Sequence, residues 1–219
     1  MNKFYFENAF PGSPRIEAMK KHVPEWYGSM PRMLDLKTPA VRACMPFMDT
    51  FLVGYQIPLI ADVLVTEQDG LPLYSWKNSA IQIVEVRNPK VMENFPKPEE
   101  YSPDYPAWVT HHAIRIPKGY SALITHPLNR FDLPFTTLSG IVDDYDMHVG
   151  RLPFFLKRGF TGVIPQGTPM AQILFIKQEA WKVEEMPELH RKSTLNLAKV
   201  TLVFTGWYKK NVWRKKSYD

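Results

Sequence analysis

The sequence has one cysteine, few glycines and no long apolar run. Because Cys44 is the sole cysteine, an intrachain disulfide and a metal site built from several thiolates are excluded, and we expect a reducing compartment. No stretch approaches the ~18 consecutive apolar residues of a membrane-spanning helix. Glu7 interrupts the start of the chain, where a secretory signal would be apolar. We therefore predict neither export nor membrane attachment.

Most of the chain has no marked excess of positive or negative charge. Residues 1–205 carry 22 basic and 21 acidic side chains, whereas residues 206–219 carry five basic side chains and one acidic. Hydrophobic residues make up 45% and charged residues 22% of the chain, which is ordinary for a folded domain and excludes the disordered class. The 20 prolines interrupt helices repeatedly, so a long helical bundle is excluded as well.

What the sequence does contain is a series of short strand-like runs. Between residues 50 and 177, predicted strands rich in β-branched and aromatic residues alternate with Pro, Gly, Asn or Asp, and they include residues 51–55, 120–126 and 170–177. This pattern predicts a mainly β fold with a β-sandwich, β-clip or jelly-roll-like core. We assign residues 1–49 to an N-terminal arm with short helices, residues 50–183 to the β-rich core, and residues 184–219 to a C-terminal helix and basic tail.

Two short helices are predicted in the arm. Ser13 and Thr38 are of the residue types that cap helix N-termini, and each precedes a proline, which suits the first helical position. Pro24 and Pro46 are expected to end these helices, because proline is excluded from a helix interior.

The segment from Ile116 to Ile173 carries the most information. A Pro-Lys-Gly turn, Pro117-Lys118-Gly119, is followed by the acidic loop Gly140-Ile141-Val142-Asp143-Asp144-Tyr145 and by the strand Met170-Ala171-Gln172-Ile173. In this order the three elements resemble the dUTPase and dCTP deaminase superfamily, whose members are β-rich trimeric enzymes. An earlier stretch, Gly54-Tyr55-Gln56-Ile57, is similar to the start of that fold. The resemblance implies a dUTPase-like core.

The same resemblance implies a set of site residues. It makes Asp143 the catalytic carboxylate, which would have to lie within about 3 Å of a water molecule. The residues that it implies for ligand binding are Asn129, Arg130, Gly140, Tyr145 and Gln172. The segment Leu128-Asn129-Arg130 stands where the family has Arg-Ser-Ser, and the glycine-rich C-terminal arm of the family is missing from the sequence. Nucleotide binding or hydrolysis is therefore the alternative prediction, and Mg²⁺ could serve as a cofactor only if the protein is a nucleotide hydrolase.

Other segments are similar to an uncharacterised protein family of large tailed phages. They include Pro24-Glu25-Trp26-Tyr27, Pro127-Leu128-Asn129-Arg130 and the basic ending. The similarity implies a phage protein of unassigned biochemical role, for which virion assembly and host takeover are both open. Because sandwich and β-clip domains recur in capsid, neck and tail parts, we predict a non-enzymatic protein without a cofactor, a structural or accessory virion component that acts through protein-protein assembly. We expect a homo-oligomer, a trimer if the fold resemblance holds, located in the virion or the host cytoplasm, with virion or host proteins as partners.

One cluster of acidic residues could bind a divalent cation. Asp143, Asp144, Asp146 and His148 lie close together in sequence, and gathered carboxylates bind hard cations. The alternative is a solvated loop in which the aspartates cap backbone amides. Because the spacing matches no recognised metal site, we predict none.

The C-terminal segment interleaves aromatic and basic residues. The residues of this predicted partner-binding tail are Trp207, Lys209, Lys210, Trp213, Arg214, Lys215 and Lys216. Such a segment can dock on an acidic protein neighbour or on the body of its own chain, with tryptophan as the anchor. It can also contact phosphates and stack on bases, so nucleic acid stays open as an alternative partner.

Overall fold

The computed structural model describes residues 3–8, 10–36, 38–78, 80–143, 146–147, 150–190, 193–194 and 207–219. The strands are β1 (Tyr5–Asn8), β2 (Glu17–Ala18), β3 (Tyr55–Pro58), β4 (Val63–Gln68), β5 (Leu71–Ser75), β6 (Val84–Arg87), β7 (Tyr105–Val109), β8 (His112–Arg115), β9 (Tyr120–Thr125), β10 (Phe135–Thr137), β11 (Gly140–Val142), β12 (Asp146–Met147), β13 (Arg151–Leu156), β14 (Gly162–Ile164) and β15 (Pro169–Lys177). The helices are α1 (Glu25–Ser29), α2 (Met45–Asp49) and α3 (Trp207–Asn211), with 3-10 turns at Met19–Lys21, Val41–Ala43 and Pro89–Met92. The prediction of a mainly β fold is confirmed.

The chain forms two compact units. The first, the β body, comprises residues 1–17 and 54–178, and the second comprises residues 18–53 and 179–219. In the second unit, residues 181–186 have no regular secondary structure, and much of the helix predicted from residue 184 lies outside the described residues. Within the described ranges, no helix has both the length and the apolar character needed to span a membrane.

Antiparallel pairing builds the β body. The largest sheet has the strand order β11-β9-β15-β3-β2, and a second has the order β10-β13-β7-β6. Two three-stranded sheets have the orders β1-β8-β12 and β14-β4-β5. At the centre of the largest sheet, β15 pairs with β9 from Gln172 opposite Thr125 to Lys177 opposite Tyr120.

Aromatic residues fill the core of the β body. The rings of Trp108 and Phe154 stack at 3.9 Å between centroids, and Phe135 meets the Trp108 ring edge-on at 4.9 Å. All three side chains are buried. Because such rings bury large apolar areas, this cluster is a major source of stability for the body.

The second unit has its own aromatic cluster. Phe51 is fully buried, and the rings of Trp26, Tyr27 and Phe47 lie 5.7, 4.7 and 5.5 Å from its centroid.

The helices of this unit begin where they were predicted to end. Pro24 is the N-cap of α1, and Pro46 lies in the first turn of α2. The prediction that these prolines end helices, and that Ser13 and Thr38 begin them, is wrong. The fixed φ of proline and its missing N–H suit a first turn, where that N–H would have no partner. Ser13 instead closes a turn, with its hydroxyl donating to the Phe10 carbonyl at 2.8 Å.

Candidate functional site

The turn that follows β9 is anchored to β15 by Gln172. This side chain is fully buried, and its Oε1 accepts a hydrogen bond from the backbone N–H of Leu128 at 2.9 Å. At the same place, Thr125 and Ser139 join their hydroxyls at 2.7 Å. The turn over residues 126–132 is therefore held to the centre of the largest sheet.

The His126 ring bridges this turn and β10 through two hydrogen bonds. Its Nδ1 accepts the backbone N–H of Thr137 at 3.3 Å, so its Nε2–H donates to the carbonyl of Arg130 at 3.1 Å. Burial lowers the pKa of His126, against the opposing effect of that carbonyl. Both hydrogen bonds require the neutral imidazole, because a protonated Nδ1 would face another N–H.

Arg130 forms an ion pair with a residue of the same turn. Its Nε and Nη2 donate to the two carboxylate oxygens of Asp132 at 2.9 and 2.8 Å. The Arg130 side chain is only 12% exposed. Asn129 precedes it at φ 58°, a left-handed conformation that asparagine tolerates better than most residues. In this arrangement the guanidinium is neutralised by its own loop rather than presented to a phosphate.

Asp143 lies directly after β11, on the surface. Its Oδ1 accepts the hydroxyl of Ser121 at 2.6 Å, and Gln178 donates to that same hydroxyl oxygen at 3.2 Å. Gly140, at the other end of β11, pairs with Ile124. A Cβ at Gly140 would meet no atom within 4 Å, so the backbone at this position does not require glycine.

The predicted site residues fall into two groups. Val142 pairs with Ala122, so Asp143 lies level with the next residue of β9, Ser121, while Gln172 pairs with Thr125. Four steps along β9, about 13 Å at roughly 3.3 Å per residue, therefore separate Asp143 from Gln172. The turn with Asn129, Arg130 and Gln172 is thus distinct from the Asp143 group. Tyr145 lies outside the described residues.

Sequence reasoning missed His126 and Asp132, which complete the turn. Asp132 could have been found from the local sequence, because it lies two residues after Arg130 and a bidentate arginine-carboxylate pair can close a tight turn. The role of His126 depends on Thr137 from the next strand, so its local sequence gave no comparable signal.

Two residues of the predicted tail contact their own unit. The indole Nε1 of Trp213 donates to both carboxylate oxygens of Asp49 at 3.0 Å, and Lys216 Nζ lies 2.7 Å from the same carboxylate. Asp49 is mostly buried, with 14% of its side chain exposed. The other basic side chains of the tail are exposed, namely Lys209, Lys210, Arg214 and Lys215. Trp207 begins α3.

Of the acidic residues considered as cation ligands, Asp143 and Asp146 lie in the described part of the chain. Asp146 forms a bidentate pair with Arg115, with both N···O distances at 2.9 Å. Asp144 and His148 lie outside the described residues. The described part of the chain contains no group of three His, Cys, Asp or Glu side chains placed to hold a metal ion.

The neutral state of His126 predicts a dependence of stability on pH. Its folded pKa is lowered, so below the ordinary value of about 6.5 the unfolded chain binds a proton that the folded chain excludes. Stability should therefore fall between about pH 7.5 and 5.5, in urea unfolding followed by circular dichroism. His112, whose pKa burial also lowers, contributes in the same direction.

The substitution His126→Gln should remove part of this dependence. The exposed His190 provides the matched control, because His190→Gln should leave the pH profile as steep as in the unaltered protein. An equally steep profile in His126→Gln would rule out His126 as a source of the pH dependence.

Comparison with known proteins finds structural neighbours only. No protein-family model matches the chain, and no curated protein gives a match. A point mutant of the dUTPase from phage phi11 of S. aureus has a TM-score of 0.38 and 14% identity, over 86% of this chain and 99% of that one. Two mutants of the Staphylococcus bacteriophage 80alpha dUTPase, one of them with dUpNHpp, have TM-scores of 0.37 and 0.38 and identities of 10% and 11% at the same coverage. All three of these neighbours are phage dUTPases.

Proposed function

We propose that this chain is a non-enzymatic phage protein, a structural or accessory virion component that works by assembling with further copies of itself. The phage assignment rests on the sequence similarity to a tailed-phage family. The assembly assignment rests on one structural observation, the outward face of the β14-β4-β5 sheet.

That face is uncharged and carries four exposed apolar side chains, those of Leu64, Leu71, Leu73 and Val163. Its inner side is buried, with Val63, Val65 and Ile164 at 1% exposure or less. On the outer side, Leu64 lies directly opposite Val163, and the two are 43% and 54% exposed. The other outward residues are Thr66, Gln68, Leu71, Leu73 and Ser75. Contiguous exposed apolar side chains of this kind are characteristic of association surfaces.

The chemistry of the face favours identical copies as the partner. None of its seven outward side chains carries a charge. Identical surfaces brought together around a symmetry axis place like charges near each other, so an uncharged face avoids that repulsion. An acidic or basic protein partner would instead be matched by charge of the opposite sign.

A charge placed on this face should weaken assembly. We expect Leu64→Glu to shift the protein towards monomer by at least about tenfold in dissociation constant, because a carboxylate would have to be desolvated in the interface. Light scattering after size exclusion measures the change. The control is Val86→Glu on β6, where the side chain is 64% exposed and lies on another sheet. If both variants keep the oligomer of the unaltered protein, or both lose it equally, this face is not the interface.

The virion assignment has its own test. Purified phage particles should contain the protein at a fixed copy number, measured by quantitative mass spectrometry. Its absence from particles would overturn the virion role and leave the self-assembly proposal standing.

Nucleotide binding is the second candidate function, favoured by the exposed Asp143 carboxylate held by Ser121. Hydrolysis in addition needs donors that grip the phosphates, and Arg130 is bound to Asp132. We expect dUTP and dCTP to release no pyrophosphate above background, and a thermal-shift screen of deoxynucleotides to detect binding alone. Release that disappears in Asp143→Asn would establish the hydrolase instead.

A further inference from the structure

A cavity of about 390 Å³ lies in the β body, away from both groups of predicted site residues. The loop between β6 and β7 forms one side, and β7 and β13 contribute Tyr105 and Phe155. This volume is within the range of ordinary small-molecule sites. No feature of the proposed assembly surface uses it.

One wall of the cavity holds a buried carboxylate that is only half satisfied. Asp104 is 7% exposed, and its Oδ2 accepts the hydroxyl of Tyr74 at 2.7 Å. Burial, together with this carboxylate, raises the pKa of Tyr74, so the phenol stays a donor. Among the described residues Oδ1 has no hydrogen-bond partner, although it is shut off from solvent. Leaving a buried carboxylate oxygen unpaired is costly, and a donor entering from the cavity would remove that cost.

Lys97 supplies the opposite charge in the same cavity. Its ammonium donates to the Ser102 carbonyl at 2.6 Å and lies 5.4 Å from the centroid of Phe155. Burial lowers the pKa of Lys97. An ammonium has three N–H donors, and in the described part of the chain the Ser102 carbonyl takes one of them. The remaining donors can receive an anion.

The rest of the lining is mainly apolar, with three aromatic rings and one further pair of charges. The rings of Phe95 and Tyr105 lie 5.8 and 6.5 Å from that of Phe155. Lys90 and Glu93, both exposed, add one positive and one negative charge to the lining. Two cationic and two anionic side chains thus surround a space with aromatic walls.

We infer that this cavity binds an aromatic α-amino acid as a zwitterion. Its carboxylate would lie on the ammonium of Lys97, its ammonium would donate to Asp104, and its ring would lie against Phe95 and Phe155. A singly charged ligand would match the charge of only one of Lys97 and Asp104, whereas a zwitterion of this size matches both and adds edge-to-face ring contacts.

Titration calorimetry with L-phenylalanine tests the inference, with two analogues that each lack one charge. The analogue 3-phenylpropionate lacks the ammonium, and L-phenylalaninamide lacks the carboxylate. We expect saturable binding of phenylalanine and at least about tenfold weaker binding of both analogues, the loss that follows from removing one charged hydrogen bond.

Two variants locate the site. Asp104→Asn keeps an oxygen for the Tyr74 hydroxyl, and Lys97→Met keeps the length of the side chain without its charge. Both should weaken phenylalanine binding by at least about tenfold, whereas Lys118→Met, an exposed lysine on a turn, should not change it. Absence of binding at millimolar phenylalanine, equal binding of all three compounds, or unchanged binding in both variants would overturn the inference. If a variant fails to fold, the analogue series alone decides.

Discussion

Gly54→Ala is expected to destabilise the protein by about 3 kcal/mol or more, a large fraction of the roughly 5–15 kcal/mol by which folded proteins are stable. Gly54 has φ 73°, and a Cβ added there would lie 2.1 Å from the carbonyl oxygen of Ile173. That oxygen belongs to β15, which is paired on both sides, to β3 and to β9. Because the strand cannot retreat without breaking one of these pairings, the clash adds to the cost of about 1–2 kcal/mol for a left-handed alanine.

The control for this substitution is Gly119→Ala. Gly119 has nearly the same φ, 78°, but nothing lies within 4 Å of its Cβ position. Gly119→Ala should lower the free energy of unfolding by only about 1–2 kcal/mol, the cost of a left-handed alanine. Urea unfolding followed by circular dichroism measures both. Equal losses in the two variants would show that close approach to β15 is not what requires glycine at position 54.

Gln172→Met should also lower the free energy of unfolding, and we expect this to be the second largest effect. The substitution preserves most of the volume but removes the acceptor of the Leu128 N–H. An unpaired buried N–H costs about 1–3 kcal/mol, and the turn over residues 126–132 should loosen with it. Loosening would appear as faster amide hydrogen exchange at Leu128 and its neighbours, alongside the lower unfolding free energy.

Gln56 offers a matched comparison, because it lies directly opposite Gln172 in the sheet and is equally buried. The described residues provide no hydrogen-bond partner for its Oε1. Gln56→Met therefore removes an unsatisfied polar atom and should cost less than about 1 kcal/mol. Were Gln56→Met as damaging as Gln172→Met, packing rather than the hydrogen bond to Leu128 would explain both losses.

The central strands of the body could be predicted because their signals are local. Apolar and β-branched residues at residues 120–126 and 170–177 matched β9 and β15 to within a residue at each end. The strand predicted over residues 51–55 is a turn through Gly54 instead. Tertiary packing overrides the local strand signal there, because Phe51 is buried among the aromatic residues of the second unit rather than in a sheet.

The candidate site was less accessible to sequence reasoning, because distant residues build it. Leu128 and Gln172 are 44 residues apart, and nothing near either residue indicates their hydrogen bond. The sequence prediction placed Asp143 and Gln172 in one site because of the order of their motifs along the chain. That order carries no information on where each residue lies along β9. Local chemistry was informative only where partners are neighbours, as for Arg130 and Asp132.

Sedimentation equilibrium of the unaltered protein, over a wide range of concentrations, tests the central claim of self-assembly most directly. The account predicts a closed oligomer whose mass is a whole multiple of 25.4 kDa, three times that value if the subunits form a trimer. A particle of 25.4 kDa at every concentration would contradict it.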